Sequence, residues 1–276
     1  MQLSCLPVSF FPELADGRMQ LREWFEAART LNLDAADIGM VLLRNHTPTY
    51  LAGIRAELEQ IGIGIGMITA CPDFTVADAL QRERELDYAR RDVALASQLG
   101  ARFLRVTAGQ MHPGETVAAM RDRAVSALRR LAGDAERYGI VLVIENHFRP
   151  FGWEQRDLTF EPEDFLAVVR ALEDTPLRVQ FDTANAAAVG ADVIGLAAEV
   201  RTQIETVHVA DTRAFGEFAP VLVGTGAVPF RDFFGYLVET GYDGWLCIEE
   251  ASRTGMDGVA KAVQYVRRTW ADCSGN

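Results

Sequence analysis

Four residues with metal-binding side chains each end a short apolar run in the second half of the chain. Glu145 ends VLVIE, Asp182 ends RVQFD, His208 follows ETV, and Glu249 ends WLCIE. Three carboxylates packed closely would repel one another, so a divalent cation or protonation is needed to hold them together. Three oxygen donors with one imidazole nitrogen suit manganese, magnesium, cobalt or zinc. The pattern indicates a site for one divalent metal ion.

Each of these residues also has a structural interpretation when it is taken alone. A carboxylate after a strand is often a helix cap, and Asp182 could cap the turn that follows it. A single histidine such as His208 is more often a hydrogen-bonded core residue than a metal ligand. The joint pattern favours the metal site, because all four residues fall at the same depth of consecutive apolar runs.

The elements that must position these residues are short β-rich runs that alternate with longer amphipathic stretches. Strands are predicted at 3–10, 35–41, 63–69, 102–108, 140–147, 177–184, 206–212 and 245–251. Helices are predicted near 18–31, 48–60, 79–98, 115–138, 162–173, 191–202, 230–240 and 256–270.

Eight strands and eight helices in alternation predict a parallel sheet covered by helices. In a chain of 276 residues, this favours an α/β fold with a single (β/α)₈ TIM barrel over residues 1–276. An open, doubly wound sheet is the competing fold, but no GxGxxG motif follows the first strand. Active sites of (β/α)₈ barrels lie at the carboxyl ends of the strands, where the four candidate ligands fall.

Charge and composition limit the partners. The formal net charge is -12, so nucleic acid and membrane surfaces are poor partner predictions. The chain has one lysine, Lys261, in a helical pattern, which excludes Schiff-base chemistry on a barrel strand. Four scattered cysteines form no disulfide framework or zinc–thiolate motif, and the first residues do not resemble a signal peptide. A cytoplasmic protein is the expectation.

At the candidate ligands, the sequence resembles the xylose isomerase-like TIM barrel superfamily, which includes the sugar phosphate isomerase/epimerase family. The matching segments are VLVIENH (141–147), FDTAN (181–185), VHVADT (207–212), VGTGAVPF (223–230) and GYDGWLCIEE (241–250). The resemblance implies that Glu145, Asp182, His208 and Glu249 bind the metal. It further implies that Glu145 and Glu249 act as catalytic acid and base on opposite faces of a substrate.

The resemblance also suggests substrate-binding positions. His147 would point toward the substrate or support a ligand carboxylate, and Arg213 would bind substrate or lie exposed on the surface. Asn185 replaces a histidine found in ketose 3-epimerases and apurinic endonucleases; it could still hydrogen-bond a substrate hydroxyl, but a second or third metal is not expected. In loops, Phe10, Phe11, Phe151 and Trp153 could form an apolar wall over a sugar or serve equally as ordinary loop anchors. The Gly224–Gly226 segment could cradle an anion or form a tight turn.

These observations predict a divalent-metal-dependent isomerase or epimerase of a small keto-sugar or hydroxy-keto compound that acts through an enediolate. The alternative is a metal-dependent dehydratase, similar to inosose or dehydroshikimate dehydratases. A phosphodiesterase similar to apurinic endonucleases is disfavoured by Asn185 and the acidic charge, and a barrel that binds a sugar without turnover remains open. The expected partner is a sugar or polyol, and a homo-oligomer is compatible with the sequence. The sequence does not choose the substrate or the metal.

Overall fold

Eight parallel strands form a closed barrel in the computed structural model, which describes residues 1–150 and 152–275. Each strand pairs with the next along the chain, and the last pairs with the first from Gln2↔Trp245 to Leu6↔Glu249. The strands are β1 (Gln2–Leu6), β2 (Ala35–Gly39), β3 (Gly64–Thr69), β4 (Phe103–Val106), β5 (Val141–Glu145), β6 (Arg178–Asp182), β7 (Ile204–Val209) and β8 (Trp245–Glu249). The predicted TIM barrel is confirmed.

Ten α-helices lie within the described residues and pack around the barrel. They are α1 (Phe11–Asp16), α2 (Leu21–Thr30), α3 (Pro48–Ile61), α4 (Ala79–Gln98), α5 (Val117–Arg137), α6 (Pro162–Ala171), α7 (Thr183–Ala188), α8 (Val193–Glu199), α9 (Phe230–Glu239) and α10 (Gly255–Ser274). Among the residues described, none of these helices has both the length and the apolar character to cross a membrane.

The structure corrects several predicted element boundaries. Strand β1 ends at Leu6, because Pro7 lacks a backbone N–H for pairing, and residues Val8–Phe10 form a 3₁₀ turn. Strand β7 ends at Val209, and the antiparallel pair Asp211–Thr212 and Pro220–Val221 forms a separate hairpin. The short helices α1 and α7 were not predicted, because six residues are too few to show a helical period.

Side chains fill the inside of the barrel below its mouth, so the barrel interior is a packed core rather than an open channel. Apolar side chains from several strands form one buried cluster, which contains Ala35, Met67, Phe103, Val143, Trp245 and Cys247. Side chains two positions apart on a strand share a face. Phe103, Val143 and Cys247 therefore share the inward face with Arg105, Glu145 and Glu249, which lie two residues nearer the mouth. This packed core leaves space for a ligand only at the mouth.

Candidate metal centre

Three of the four predicted ligands meet at the carboxyl ends of adjacent strands. Glu145, Asp182 and His208 end or lie near the end of β5, β6 and β7, and Asp182 is in register with His208. One possible donor atom from each residue lies within 4.8 Å of the other two, and all three residues are buried. This arrangement brings two carboxylates and an imidazole to one point in the barrel mouth.

The imidazole of His208 is the centre of the cluster. Its Nδ1 lies 2.7 Å from Glu145 Oε1 and 3.8 Å from Asp182 Oδ2. The first contact has hydrogen-bond length, and its direction depends on which imidazole nitrogen carries the proton. The second is too long for a hydrogen bond. His208 thus joins the two carboxylates, which would otherwise repel one another.

Unused polar atoms show that this cluster fits a cation. Glu145 Oε2 and Asp182 Oδ2 are buried and have no hydrogen-bond partner among the described residues. Buried carboxylate oxygens without a partner are costly and rare in native proteins. A divalent cation would satisfy both oxygens, and oxygen with imidazole nitrogen is a donor set that suits such ions. The residues present therefore fit the group that the sequence predicted.

The ionisation of Glu145 and His208 follows from their contact. Burial alone would lower the pKa of His208, but attraction to Glu145 and Glu249 outweighs it and raises the pKa to about 9. Burial alone would raise the pKa of Glu145, but His208 and Arg105 outweigh it and lower the pKa to about 2. A proton on the imidazole supplies positive charge to the cluster when no metal ion does.

The pKa values of the other two carboxyl groups, Asp182 and Glu249, are raised, whereas that of Glu145 is lowered. Burial, together with repulsion by Glu145 and Glu249, raises the pKa of Asp182 well above its usual range. Burial likewise raises the pKa of Glu249, against the attraction of His208. The cluster by itself cannot keep all three carboxyl groups ionised. A bound cation would supply the missing positive charge and would therefore be stabilising.

Glu249 lies at the end of β8, in register with Leu6 of the first strand. Its negative charge raises the pKa of Asp182, but it is not one of the three residues whose donor atoms lie within 4.8 Å of one another. Its place as the fourth ligand stays a prediction.

Arg105 is a charged residue of this site that the sequence reasoning missed. It lies on β4 with a side chain only 5% exposed, and its Nε is 3.1 Å from Glu145 Oε2. The two atoms form an ion pair but lack the alignment of a hydrogen bond. The available signal was its position in the predicted strand RFLRVTA, on the same face as Phe103. A charged side chain among core positions needs a partner at the same end of the barrel.

The sequence reasoning also missed two residues that directly follow candidate ligands, Asn146 after Glu145 and Thr183 after Asp182. Their side chains hold the neighbouring strand ends in place. The Asn146 amide donates to the Asp182 carbonyl and accepts from the Asp182 N–H, both at 2.8 Å. The Thr183 hydroxyl lies 2.7 Å from the Ala210 carbonyl and 3.1 Å from the His208 carbonyl. These side chains connect β5 to β6 and β6 to β7 where the strand ladders end, so they hold the ligand-bearing ends together.

Asp182 also has the helix-capping role that was its alternative interpretation. Its Oδ1 accepts a hydrogen bond of 2.5 Å from the backbone N–H of Asn185, in the first turn of α7. Its Oδ2 remains free to face the cluster. Capping and metal binding are therefore compatible, because they use different oxygens.

The predicted substrate-binding residues lie in different surroundings. His147 follows β5, and its Nδ1 is buried without a hydrogen-bond partner in the described part of the chain. Burial and the nearby Arg105 lower the pKa of His147 to about 3, so the imidazole is neutral. Asn185 is buried. Arg213 is 69% exposed and pairs with Glu217 at 3.4 Å, away from the buried cluster. These assignments remain predictions.

The loop aromatic side chains were open to two interpretations, a wall over a sugar or ordinary loop anchors, and Phe10 and Phe11 are anchors. Phe10 and Phe11 pack against the hydrophobic core. Trp153 is half-buried in the loop after β5, and Phe151 lies outside the described residues. Phe148 and Phe218 instead connect two loops, with ring centroids 4.1 Å apart. An aromatic contact thus joins the loops after β5 and β7, two of the strands that carry candidate ligands.

The glycine-containing turn at 224–226 already holds an anion, the carboxylate of Asp211. Asp211 Oδ2 accepts from the N–H groups of Gly224 at 2.9 Å and Gly226 at 2.8 Å. Asp211 Oδ1 accepts from the N–H of Val228 at 3.2 Å. A side chain at position 226 would collide with the carboxylate, so the turn requires glycine there. The turn is structural, and its amides are not free for an external anion.

Comparisons with known proteins agree with this architecture. Residues 25–269 match the family model for the xylose isomerase-like TIM barrel. The chain is similar to the uncharacterised protein MJ1311 of Methanocaldococcus jannaschii, with 28% identity over 79% of this chain and 75% of that protein.

Among solved structures, the fold is similar to that of a D-tagatose 3-epimerase-like protein, with a TM-score of 0.82, 20% identity and coverage of 100% and 99% of the two chains. The IOLI protein with a bound zinc atom gives a TM-score of 0.79 at 17% identity, over 100% of this chain and 98% of that one. A probable 3-DHS dehydratase, AsbF of Bacillus anthracis, gives 0.78 at 14% identity, over 97% and 99%. At such identities these likenesses show the fold.

Proposed function

Because the chain belongs to the xylose isomerase-like TIM barrel family, we propose that it is a divalent-metal-dependent isomerase or epimerase of a small keto-sugar or hydroxy-keto compound. One observation carries this proposal. Glu145, Asp182 and His208 converge at the barrel mouth with two buried carboxylate oxygens unpartnered among the described residues. The epimerase-like neighbour and the zinc bound by the IOLI protein support the same class of reaction.

The residues divide into those that would hold the ion and those that would move protons. Glu145, Asp182, His208 and Glu249 would hold one divalent ion. When bound, such an ion polarises a substrate carbonyl and stabilises negative charge that develops beside it. Removal of a proton next to a carbonyl then needs a carboxylate within hydrogen-bond reach.

Glu145 and Glu249 are the carboxylates proposed for this proton transfer. They stand on β5 and β8, with β6 and β7 between them in the barrel wall. The two carboxylates therefore approach the mouth from different sides. One would take the proton and the other would deliver one, which inverts a carbon centre. A single carboxylate that returns the proton to the neighbouring carbon would give the isomer instead.

A dehydratase is the second candidate, supported by the likeness to the probable 3-DHS dehydratase. The same proton removal leads to loss of water when a hydroxyl lies on the carbon β to the carbonyl. The ligand set does not distinguish these outcomes, since both begin with the same carbon-bound proton. The identity of the product has to be measured.

Solvent exchange tests the proposal. Purified protein is stripped of metal, reloaded with Mn²⁺ and incubated in D₂O with a panel of ketoses and hydroxy-keto acids. We expect deuterium in the recovered compound for at least one panel member, and none with metal-free protein. Loss of water, seen as a lower mass, would instead establish the dehydratase.

Two variants serve as controls in this assay. Glu145→Gln and Glu249→Gln should each abolish exchange, and near wild-type exchange in either one would refute the catalytic role of that residue. Absence of both exchange and water loss across the panel with Mn²⁺-loaded protein would contradict the proposed function.

A further inference from the structure

Arg105 has hydrogen-bonding capacity that the protein itself does not use. A guanidinium carries five N–H donors. Among the described residues, its one hydrogen bond runs from Nη1 to the Cys71 sulfur, at 3.8 Å. Its Nε is buried and lacks an aligned acceptor, although Glu145 Oε2 is 3.1 Å away. Guanidinium groups that are this deeply buried normally have several oxygen acceptors. The unused donors lie beside the metal centre, where a substrate would bind.

The charge of the metal centre makes this position suitable for an anion. Glu145, Asp182 and Glu249 carry three negative charges when ionised. A divalent ion and the Arg105 guanidinium together carry three positive charges, with His208 neutral as a ligand. The loaded site is then neutral overall, with its positive charges close to the substrate space. Without Arg105 it would keep one excess negative charge and would repel an acidic ligand.

Further arginines lie in the loop after β5, the strand next to that of Arg105. A cavity of about 450 Å³ lies between the loops that follow β4 and β5, the strands of Arg105 and Glu145. Its lining includes Glu115, which pairs with Arg123 at 2.8 Å, and Arg156, which pairs with Glu161 at 2.5 Å. Arg149 also lines it, donates to the Glu154 carbonyl at 3.3 Å and forms no ion pair with a carboxylate of the described residues. Its charge would attract anions toward the β4 and β5 side of the mouth.

The acidic group is better described as a carboxylate than as a phosphate. Phosphate sites in (β/α)₈ barrels usually use backbone amides in the loops after strands 7 and 8. Here the amides of Gly224 and Gly226, in the loop after β7, are occupied by the Asp211 carboxylate. A single buried guanidinium suits a planar, singly charged carboxylate, to which it can donate two parallel hydrogen bonds.

We propose that the substrate is a keto acid or keto-sugar acid, and that Arg105 binds its carboxylate at the β4 side of the metal centre. This inference rests on the proposed function, because it places the acid beside a carbonyl held at that centre. It adds a substrate class that the ligand set alone does not specify, and it distinguishes this chain from an enzyme for neutral ketoses.

Matched compounds test the inference directly. Binding to Mn²⁺-loaded protein is measured by titration calorimetry with hydroxypyruvate, dihydroxyacetone and dihydroxyacetone phosphate, which share a hydroxy-ketone and differ in the acidic group. The pair 2-keto-D-gluconate and D-fructose repeats the comparison with six carbons. We expect each carboxylate to bind about tenfold to a hundredfold more tightly than its neutral counterpart. Equal affinities in the wild-type protein, or a preference for the phosphate, would overturn the inference.

Variants assign the preference to one residue. Arg105→Gln should bring the ratio of acid to neutral affinity close to one, while Arg105→Lys should keep part of the preference. Because both affinities are measured on the same variant, a general loss of binding at the metal centre cancels from the ratio. Arg102→Gln is the matched control, since Arg102 directly precedes β4 but is 55% exposed. Thermal denaturation confirms that each variant is folded. A folded Arg105→Gln or Arg105→Lys protein with the full wild-type preference for the acid would contradict the role of Arg105.

The same measurements separate this inference from the proposed function. Wild-type protein that binds no Mn²⁺ contradicts the metal centre and with it both proposals. Wild-type protein that binds Mn²⁺ and exchanges deuterium into neutral ketoses, without preference for acids, contradicts only the inference on Arg105.

Discussion

Two buried aspartates, one in each half of the barrel, show how a structural carboxylate differs from a candidate metal ligand. Asp37 on β2 and Asp182 on β6 are both fully buried. Asp37 accepts from the Ser4 hydroxyl at 2.5 Å and from the Met67 N–H at 2.8 Å, so both of its oxygens have partners. Asp182 uses Oδ1 to cap α7 and leaves Oδ2 without a partner among the described residues.

The comparison shows that burial and a raised pKa do not by themselves identify a site. Burial raises the pKa of Asp37 to about 6 and raises the pKa of Asp182 as well. What distinguishes Asp182 is an unused oxygen that faces other potential ligands. The combination of an unused polar atom with other potential ligands beside it is therefore what singles out Asp182, since buried carboxylates such as Asp157 also have an unpartnered oxygen. Arg105 likewise combines an unpartnered donor with a place beside Glu145.

The strongest test of this comparison uses the same substitution at both positions. Asp182→Asn should weaken Mn²⁺ binding by about a hundredfold or more, because it removes a charged ligand. Asp37→Asn should leave Mn²⁺ affinity within about threefold and cost about 1–3 kcal/mol of unfolding free energy, because it disturbs two buried hydrogen bonds. Calorimetry and denaturant unfolding measure the two effects. Similar losses of Mn²⁺ affinity in both variants would remove the distinction.

The pH dependence of Mn²⁺ affinity further distinguishes the candidate metal centre from a structural carboxylate such as Asp37. In the metal-free protein the pKa of His208 is raised to about 9, so below that pH the ion must displace a proton. The affinity should therefore increase with pH, by about tenfold per unit for each proton released, and level off above pH 9. The raised pKa of Asp182 adds to this dependence wherever that carboxyl is protonated before the ion binds. Affinity that is constant between pH 6 and pH 9, in titrations at constant ionic strength, would contradict the displacement of a proton from His208 by the ion.

Asn146 tests the positioning of Asp182 with a smaller effect. Asn146→Ala removes two hydrogen bonds to the backbone of Asp182 and should lower the unfolding free energy by about 1–3 kcal/mol. We expect Mn²⁺ affinity to fall by about tenfold, as for other residues that orient a ligand. Loss of stability with unchanged affinity would mean that Asn146 stabilises the fold without orienting Asp182.

Substitution of Arg213 should have the smallest effect on activity. It is 69% exposed and pairs with Glu217, so Arg213→Gln should change kcat/KM by less than about threefold in the exchange assay. A loss of kcat/KM of tenfold or more, in a variant with normal stability, would place Arg213 at the substrate. That is the position which the family resemblance of the sequence suggested.

Much of the barrel could be predicted from the sequence, because strands covered on both sides are continuous apolar runs. VLVIE and WLCIE are examples, and both are strands of the barrel. The hairpin at Asp211–Thr212 and Pro220–Val221 could not be predicted, since two residues per strand show no periodicity. Helix α7 begins directly after β6 because the Asp182 side chain caps it, which is a side-chain contact rather than a sequence period.

The candidate ligands could be predicted because chain order places the ends of consecutive strands together. The partners of the ligands could not, since Arg105 reaches Glu145 across neighbouring strands and Asn146 reaches Asp182 from the preceding one. Arg213 and Trp153 were proposed from loops, whose path no strand pattern determines. Hydrogen-bond partners and exposure depend on that path, so they required the structure.

The most direct test of the metal centre is a crystal grown with Mn²⁺ and measured at the manganese absorption edge. We expect one anomalous peak at the mouth of the barrel, in contact with Glu145, Asp182, His208 and Glu249, and with no contact to Asp37. A peak elsewhere, or no peak in Mn²⁺-soaked crystals with these four residues ordered, would contradict the assignment of this cluster as a metal centre.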